Sequence, residues 1–403
     1  MRSLRRIVPL PAAGFSLLPP DTQAKKGPVA VRDFHPDLAR LAERGILRLR
    51  LDSPGPGTDY SSNDYLGFAR DPRVSAALAQ AAATQGTGAG AARLLTGAHP
   101  LHRYLEQRLA ALVGLPDALL FNTGYCANIG LLPAIAGPED AIFSDALNHA
   151  SLIDGCRLSR AAVFVYPHCQ PAHLEALLLA RPARRRVIVT ESVFGMEGDL
   201  APLADLRSLA DRHGAMLVVD EAHSLGLMGA QGAGACAAAG IVPDALVGTL
   251  GKALGTFGAF VAGTTDLVAW LCNQARSFLF TTAPPPALSA AATHAVDLAA
   301  GPEGTQRRAL LAQHRARVAA ALRALAVPIP ACDAPILPIH LGSPAAALQA
   351  ATLLRNRGVL ALPIRPPTVP EGTSRLRISL SAAHSDVEID RLIGALTDLR
   401  SLL

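Results

Sequence analysis

Apolar residues in this chain gather in short unbroken runs rather than in alternating stretches. Ala118–Phe121, Ala141–Phe143, Val187–Val189, Met216–Val219 and Ala245–Val247 are the clearest. Runs of this length, each followed by polar or glycine positions, predict strands buried on both faces, as in a parallel sheet covered by helices. Helices are predicted between them. Asp71-Pro72 places proline in the first turn of a helix reaching Thr84, and another runs from about Pro100 to Val113. Residues 36–50 form a short amphipathic, arginine-rich segment, broken by Ser-Pro-Gly-Pro-Gly at 53–57. From about residue 290 the pattern turns to alanine-rich helix, His294–Ala326, and then to short strands and helices. The expectation is an α/β chain with an N-terminal extension and short helical segment (1–60), a large domain (61–290) and a smaller α+β domain (291–403).

Composition narrows the function classes. Half of the 403 residues are hydrophobic, enough for a substantial core. The net charge of +5 is mild. The densest basic cluster, Arg181 with Arg184–Arg186, has no aromatic residues interleaved, so no nucleic-acid partner is expected. Six cysteines without a C-x-x-C pair read as reduced thiols of a cytoplasmic protein, and no metal is expected. No apolar run is long enough for a membrane span. The basic, proline-rich first 27 residues lack an h-region and read as an extension rather than a targeting signal.

The chemistry centres on Thr249-Leu-Gly-Lys252-Ala-Leu-Gly255. A lysine between glycines at the end of a strand presents its amine at the lip of a sheet. Partial desolvation makes such an amine a nucleophile toward aldehydes. A phosphate-binding P-loop is excluded, because Ala253 stands where serine or threonine is required. Upstream, Met216–Val219 ends in Asp220, with His223 three residues on. Ligands of open α/β sheets bind outside those strand ends. A lysine for a Schiff base and a carboxylate for a pyridine nitrogen are what pyridoxal 5'-phosphate requires. Gly86–Arg93 resembles a dinucleotide fingerprint, but its third glycine is displaced and no strand precedes it.

With Lys252, Asp220 and His223 in this order, the chain from about residue 35 resembles the α-oxoamine synthases, fold-type I pyridoxal-phosphate enzymes. The resemblance implies a mostly parallel seven-stranded sheet in the large domain, with Phe257–Gly263 as its reversed strand. It also implies a homodimer with shared active sites. Lys252, His149 and Asp220 are then catalytic, His149 stacking on the ring. Gly124, Tyr125 and Thr249 hold the phosphate, joined by Thr281 and Thr282 from the neighbouring subunit, and His223 binds the phenolic oxygen. Arg48, Asn63 and Arg375 bind substrate, Arg375 taking the amino-acid carboxylate. The phrase Ile364–Pro370 resembles members that condense L-alanine with a pimeloyl thioester, on coenzyme A or a carrier protein. Sister activities are glycine C-acetyltransferase, 5-aminolevulinate synthase and serine palmitoyltransferase. A non-catalytic binding module is disfavoured by the intact set Lys252, Asp220, His149 and Arg375. One departure stands out: Gly195 replaces the family's usual serine, a donor to the phenolic oxygen. Either that donor is lost, or glycine is there for a positive φ.

Overall fold

The computed structural model describes residues 33–48, 50 and 55–403. The extension through residue 32, and residues 51–54 of the Ser-Pro-Gly-Pro-Gly break, lie outside the described residues. The chain divides into two compact units, residues 1–48 and 49–403. In the first, the amphipathic segment is helical only over His35–Glu43. Gly45 adopts φ 65°, a left-handed conformation that ends the helix early.

The strands in chain order are β1 (Thr58–Asp59), β2 (Asp117–Phe121), β3 (Ala141–Asp145), β4 (Ala162–Tyr166), β5 (Arg186–Glu191) and β6 (Ala215–Asp220), followed by β7 (Ala245–Thr249), β8 (Ala259–Gly263), β9 (Ile336–Gly342), β10 (Val359–Leu360), β11 (Pro363–Ile364) and β12 (Ser374–Ser379). Seven form one sheet in the order β2-β8-β7-β6-β5-β3-β4. Only β8 runs against its neighbours. The apolar runs are strands because helices cover both faces: β2, β3 and β8 are buried along their whole length. A three-stranded antiparallel sheet, β11-β12-β9, carries the C-terminal half. The short β1 pairs in parallel with β10, about 300 residues away.

The two expected N-terminal helices form, over Pro72–Gln85 and Pro100–Val113, the first capped by the Asp71 carboxylate accepting from the Arg73 N–H. The alanine-rich stretch is not one helix. It is two, Pro286–Ala300 and Pro302–Ala324, because a proline at a first helical position starts each. The first of these spans residue 290 and packs on both N-terminal helices.

Candidate active site

The C-terminal ends of β3, β5, β6 and β7 meet the helix Gly124–Ile135 around a cavity of about 180 Å³. β6 is apolar until Asp220, whose side chain emerges where strand gives way to loop. That carboxylate is 5% exposed and accepts from Asn128 Nδ2 (2.8 Å) and the Ala222 N–H (2.9 Å). Glu191 lies directly opposite it at the end of β5. Glu191 accepts a long bond from the Gly195 N–H (3.4 Å). Burial, with Asp220 beside it, pushes the Glu191 carboxyl up to about 8.

Lys252 follows β7, and its Nζ lies 2.8 Å from His223 Nε2. Burial brings the amine down to about 8 against the opposing pull of Asp220 and Glu191. His223 is 6% exposed. Burial first, then the cationic Lys252 and Arg377, hold it well below the ordinary histidine range. Thr249 lines the same wall and donates its hydroxyl to the Gly258 carbonyl (3.2 Å). His149 stands at the cavity's rim as the N-cap of the helix Ala150–Ser159, with Nδ1 2.8 Å from Ser151 Oγ.

These residues fit pyridoxal phosphate. A depressed amine and a carboxylate held by two donors face one cavity. The helix Gly124–Ile135 points its N-terminus into it. A Cβ at Gly124 would meet no atom, so open space lies beside those N–H groups.

The other expected residues are placed differently. The Tyr125 hydroxyl donates to Asp154. Thr281 and Thr282 sit at the end of β2, where Asn122 Nδ2 reaches Thr281 Oγ1 (3.2 Å) and the Thr282 carbonyl (3.1 Å), and neither lines the cavity. Asn63 Oδ1 accepts from the Tyr65 hydroxyl (3.0 Å). Arg48 is exposed and belongs to the first unit. The Arg375 side chain is 3% exposed and is engaged by Glu197 (2.7 Å) and the Met196 carbonyl (3.1 Å).

Four residues escaped the sequence reading, Asn128 beside Asp220 among them. Glu191 ends a strand already recognised, and its register with Asp220 is the signal that could have found it. Tyr65 and Arg377 come to His223 only through tertiary structure: Tyr65 OH lies 2.8 Å from His223 Nδ1, and Arg377 Nη2 donates to Tyr65 OH (3.1 Å). Gly195 is corrected. Its φ is not positive, so backbone strain is not the reason for glycine. A Cβ there would instead collide with His223 Nε2. Arg377 Nε also donates to the Gly195 carbonyl.

The loop carrying Gly195 is tied down at its far side. Val193 and Leu200 form a bridge. His168, after β4, donates to Asp145 Oδ1 and Asp199 Oδ2, both at 2.8 Å. Burial would lower this histidine, but the two carboxylates outweigh it and raise it to about 12. Cys169 joins Asp145 and His168 within metal-ligand range. Asp145 is nonetheless already satisfied by the Leu147 and Cys169 N–H groups and the imidazolium.

Among proteins of known function, the pattern of the aminotransferase class I and II family matches residues 56–396. The chain is 52% identical over 374 residues to an 8-amino-7-oxononanoate synthase of Anaeromyxobacter dehalogenans, covering 89% of this chain and 93% of that one. A serine palmitoyltransferase from S. paucimobilis, solved with a bound PLP-myriocin aldimine, superposes with a TM-score of 0.85 at 29% identity, covering 92% and 99%. The 8-amino-7-oxononanoate synthase of Francisella tularensis superposes at 0.74 with 27% identity, covering 86% and 97%.

Proposed function

The chain belongs to the aminotransferase class I and II family, and from that membership and its lysine–carboxylate cavity we propose that it condenses L-alanine with a pimeloyl thioester, on coenzyme A or a carrier protein, releasing CO2, the free thiol of the acyl carrier, and 8-amino-7-oxononanoate for biotin synthesis. The chain is an acyltransferase, and its cofactor is pyridoxal 5'-phosphate. When bound, that group supplies a carbonyl for amines and an electron sink for a carbanion. The observation that carries the reading is Lys252 and Asp220 facing one cavity from successive strand ends.

Lys252, lowered to about 8, holds a larger free-amine fraction near neutral pH than an ordinary lysine. It acts first as nucleophile and then takes the substrate's α-proton on Nζ, help worth about 10²–10⁴ in rate. Asp220, oriented by Asn128 and the Ala222 N–H, would hold the ring nitrogen. His149 would cover one face of the ring, and His223 would meet the phenolic oxygen. The Gly124 and Tyr125 N–H groups would hold the phosphate, joined by the Thr249 hydroxyl once it releases the Gly258 carbonyl. Arg375 exchanges Glu197 for the amino-acid carboxylate, and its fixed fork suits that anion. Asn63 completes the substrate set.

Thr281 and Thr282 reach the phosphate of a second copy of this chain. A homodimer is what that contact requires. Among the described residues no helix is long and apolar enough to cross a membrane, and all six cysteines are unpaired. The unpaired thiols support a cytoplasmic location.

The test is CO2 release from L-alanine, glycine and L-serine against pimeloyl, acetyl, succinyl and palmitoyl thioesters. Reductive trapping of the bound cofactor and peptide mapping accompany it. L-alanine with the pimeloyl thioester should give the highest kcat/KM, and the trapped peptide should contain Lys252. A preference for glycine with an acetyl group, or for L-serine with a palmitoyl group, replaces the reading with a sister activity. Label on another lysine removes Lys252 from its role.

A further inference from the structure

His223 does not stand alone behind the lysine. It is the middle of a buried chain of hydrogen bonds: Lys252 Nζ to His223 Nε2 (2.8 Å), His223 Nδ1 to Tyr65 OH (2.8 Å) and Tyr65 OH to Asn63 Oδ1 (3.0 Å). Arg377 Nη2 adds a donor to Tyr65 OH (3.1 Å). The direction of each bond follows from what each group can do. An ammonium and a guanidinium only donate, and an amide oxygen only accepts. Tyr65 is fully buried, and burial raises its hydroxyl above the ordinary range against the pull of Arg377, so it keeps its proton. That one proton is committed to Asn63 Oδ1. The Tyr65 oxygen therefore accepts, from Arg377 on one side and from His223 on the other. His223 must then carry its proton on Nδ1 and turn the lone pair of Nε2 toward Lys252.

We infer that Tyr65 is a positioning residue that fixes His223 as the Nδ1–H tautomer, so that Nε2 is the acceptor for the proton Lys252 must lose when it captures the cofactor. The inference rests on the proposed cofactor reading. In the step, one N–H bond of the Lys252 ammonium breaks and its electron pair stays on Nζ as the nucleophile. The proton forms an Nε2–H bond, and His223 becomes an imidazolium. Its Nδ1–H is held by the Tyr65 oxygen, and its new Nε2–H faces the anionic phenolic oxygen arriving beside it. In the cofactor-free chain the proton stays on Lys252, because the groups facing His223 are the cations Lys252 and Arg377, with His149 further round the cavity. Asp220 and Glu191 face Lys252 from the other side. An anion at Nε2 reverses that balance. Gly195 completes the arrangement, since only a missing Cβ leaves the imidazole room to lean toward Nζ.

The tautomer can be read without the cofactor. Nitrogen-15 spectra of cofactor-free protein labelled at histidine, with the His223 signals identified by their loss in His223→Gln, should show a protonated Nδ1 and a bare Nε2. Tyr65→Phe removes the acceptor and leaves a buried Nδ1–H unpaired, so above about pH 8, where Lys252 is a neutral amine able to accept, the variant's ring should change to the Nε2–H form while the wild-type ring keeps Nδ1–H. Cofactor capture by that variant should slow by about 10²-fold, the low end of general-base effects, with the amount finally bound preserved. A wild-type Nε2–H tautomer overturns the inference, as does a folded Tyr65→Phe protein with its tautomer unchanged. Should Tyr65→Phe fail to fold, the wild-type spectrum decides alone. Failure of wild-type protein to attach cofactor at Lys252 would refute the proposed function while leaving the tautomer result readable.

Discussion

Two histidines after strands of one sheet, β6 and β4 with β5 and β3 between them, have opposite fates. His223, after β6, is surrounded by Lys252 and Arg377, and burial holds it neutral. His168, after β4, lies between Asp145 and Asp199 and is held charged far above neutrality. The side chain is the same and the desolvation has the same sign in both, so the neighbours decide. Where opposite charges match, the result is a fixed strut. Where like charges crowd an ionisable group, protons are loosely held and available for chemistry. The loop 193–200 joins the two: Asp199 takes the strut's bond at one end, and Gly195 faces the reactive histidine at the other.

The contrast is broken most severely at the strut. His168→Ala leaves the Asp145 carboxylate, whose side chain is 1% exposed, without its cation, and should cost about 3–5 kcal/mol in denaturant unfolding. His168→Gln separates charge from packing. A histidine raised to about 12 in the folded state keeps a proton that the unfolded chain releases near its ordinary 6.5. Its contribution is therefore full below about 6.5 and declines as pH rises toward 12. Wild-type stability should fall with pH through this window more steeply than that of His168→Gln. Parallel slopes would show that the imidazolium carries no folding energy.

A smaller effect is expected where the two regions meet. Gly195→Ser places a Cβ against His223 Nε2 and should cost about 1–3 kcal/mol as overpacking. It should also shift the pH titration of the bound cofactor's absorbance. Gly195→Ala resolves the cause. Equal shifts in both variants assign the effect to the displaced ring, whereas a shift with serine alone assigns it to the hydroxyl.

The smallest change sharpens the reactive side. Glu191 opposes the lowering of Lys252, so Glu191→Gln should move the Lys252 midpoint below about 8. The pH dependence of Lys252 labelling by an amine reagent reads this directly. A midpoint that stays or rises would remove Glu191 from the lysine's electrostatics.

The sheet and the lysine–carboxylate pair were legible in the sequence because each depends on local pattern. Apolar runs give strands, and Asp220 and Lys252 end two of them. The helix starts at Pro72 and Pro100 were found in the same way, whereas the reversal of β8 came only from the family resemblance. What stayed hidden depends on distance in the chain. Glu191 gains meaning only from its register with Asp220, and Arg377 only from lying beside Tyr65, 312 residues away. His168 reads as a loop histidine until Asp199 folds back to it. The break at Gly301-Pro302 was visible but was overridden by alanine richness, although proline cannot continue a helix through its own missing N–H.

The parallel pairing of β1 with β10 sets a schedule for biosynthesis. Thr58 and Tyr60 bond to Gly358 and Leu360, and the Ser379 N–H donates back to the Tyr60 carbonyl. The segment that carries Tyr65 thus leaves the ribosome early, with its permanent partners still unmade. At about 5–20 residues per second, the 312 residues between Tyr65 and Arg377 take about 15–60 s to synthesise. The sheet strands from β2 to β8 lie inside that interval and can pair meanwhile. The pocket behind Lys252 therefore closes late, and any nascent chain released before β12 has its seven-stranded sheet but no seat for Tyr65.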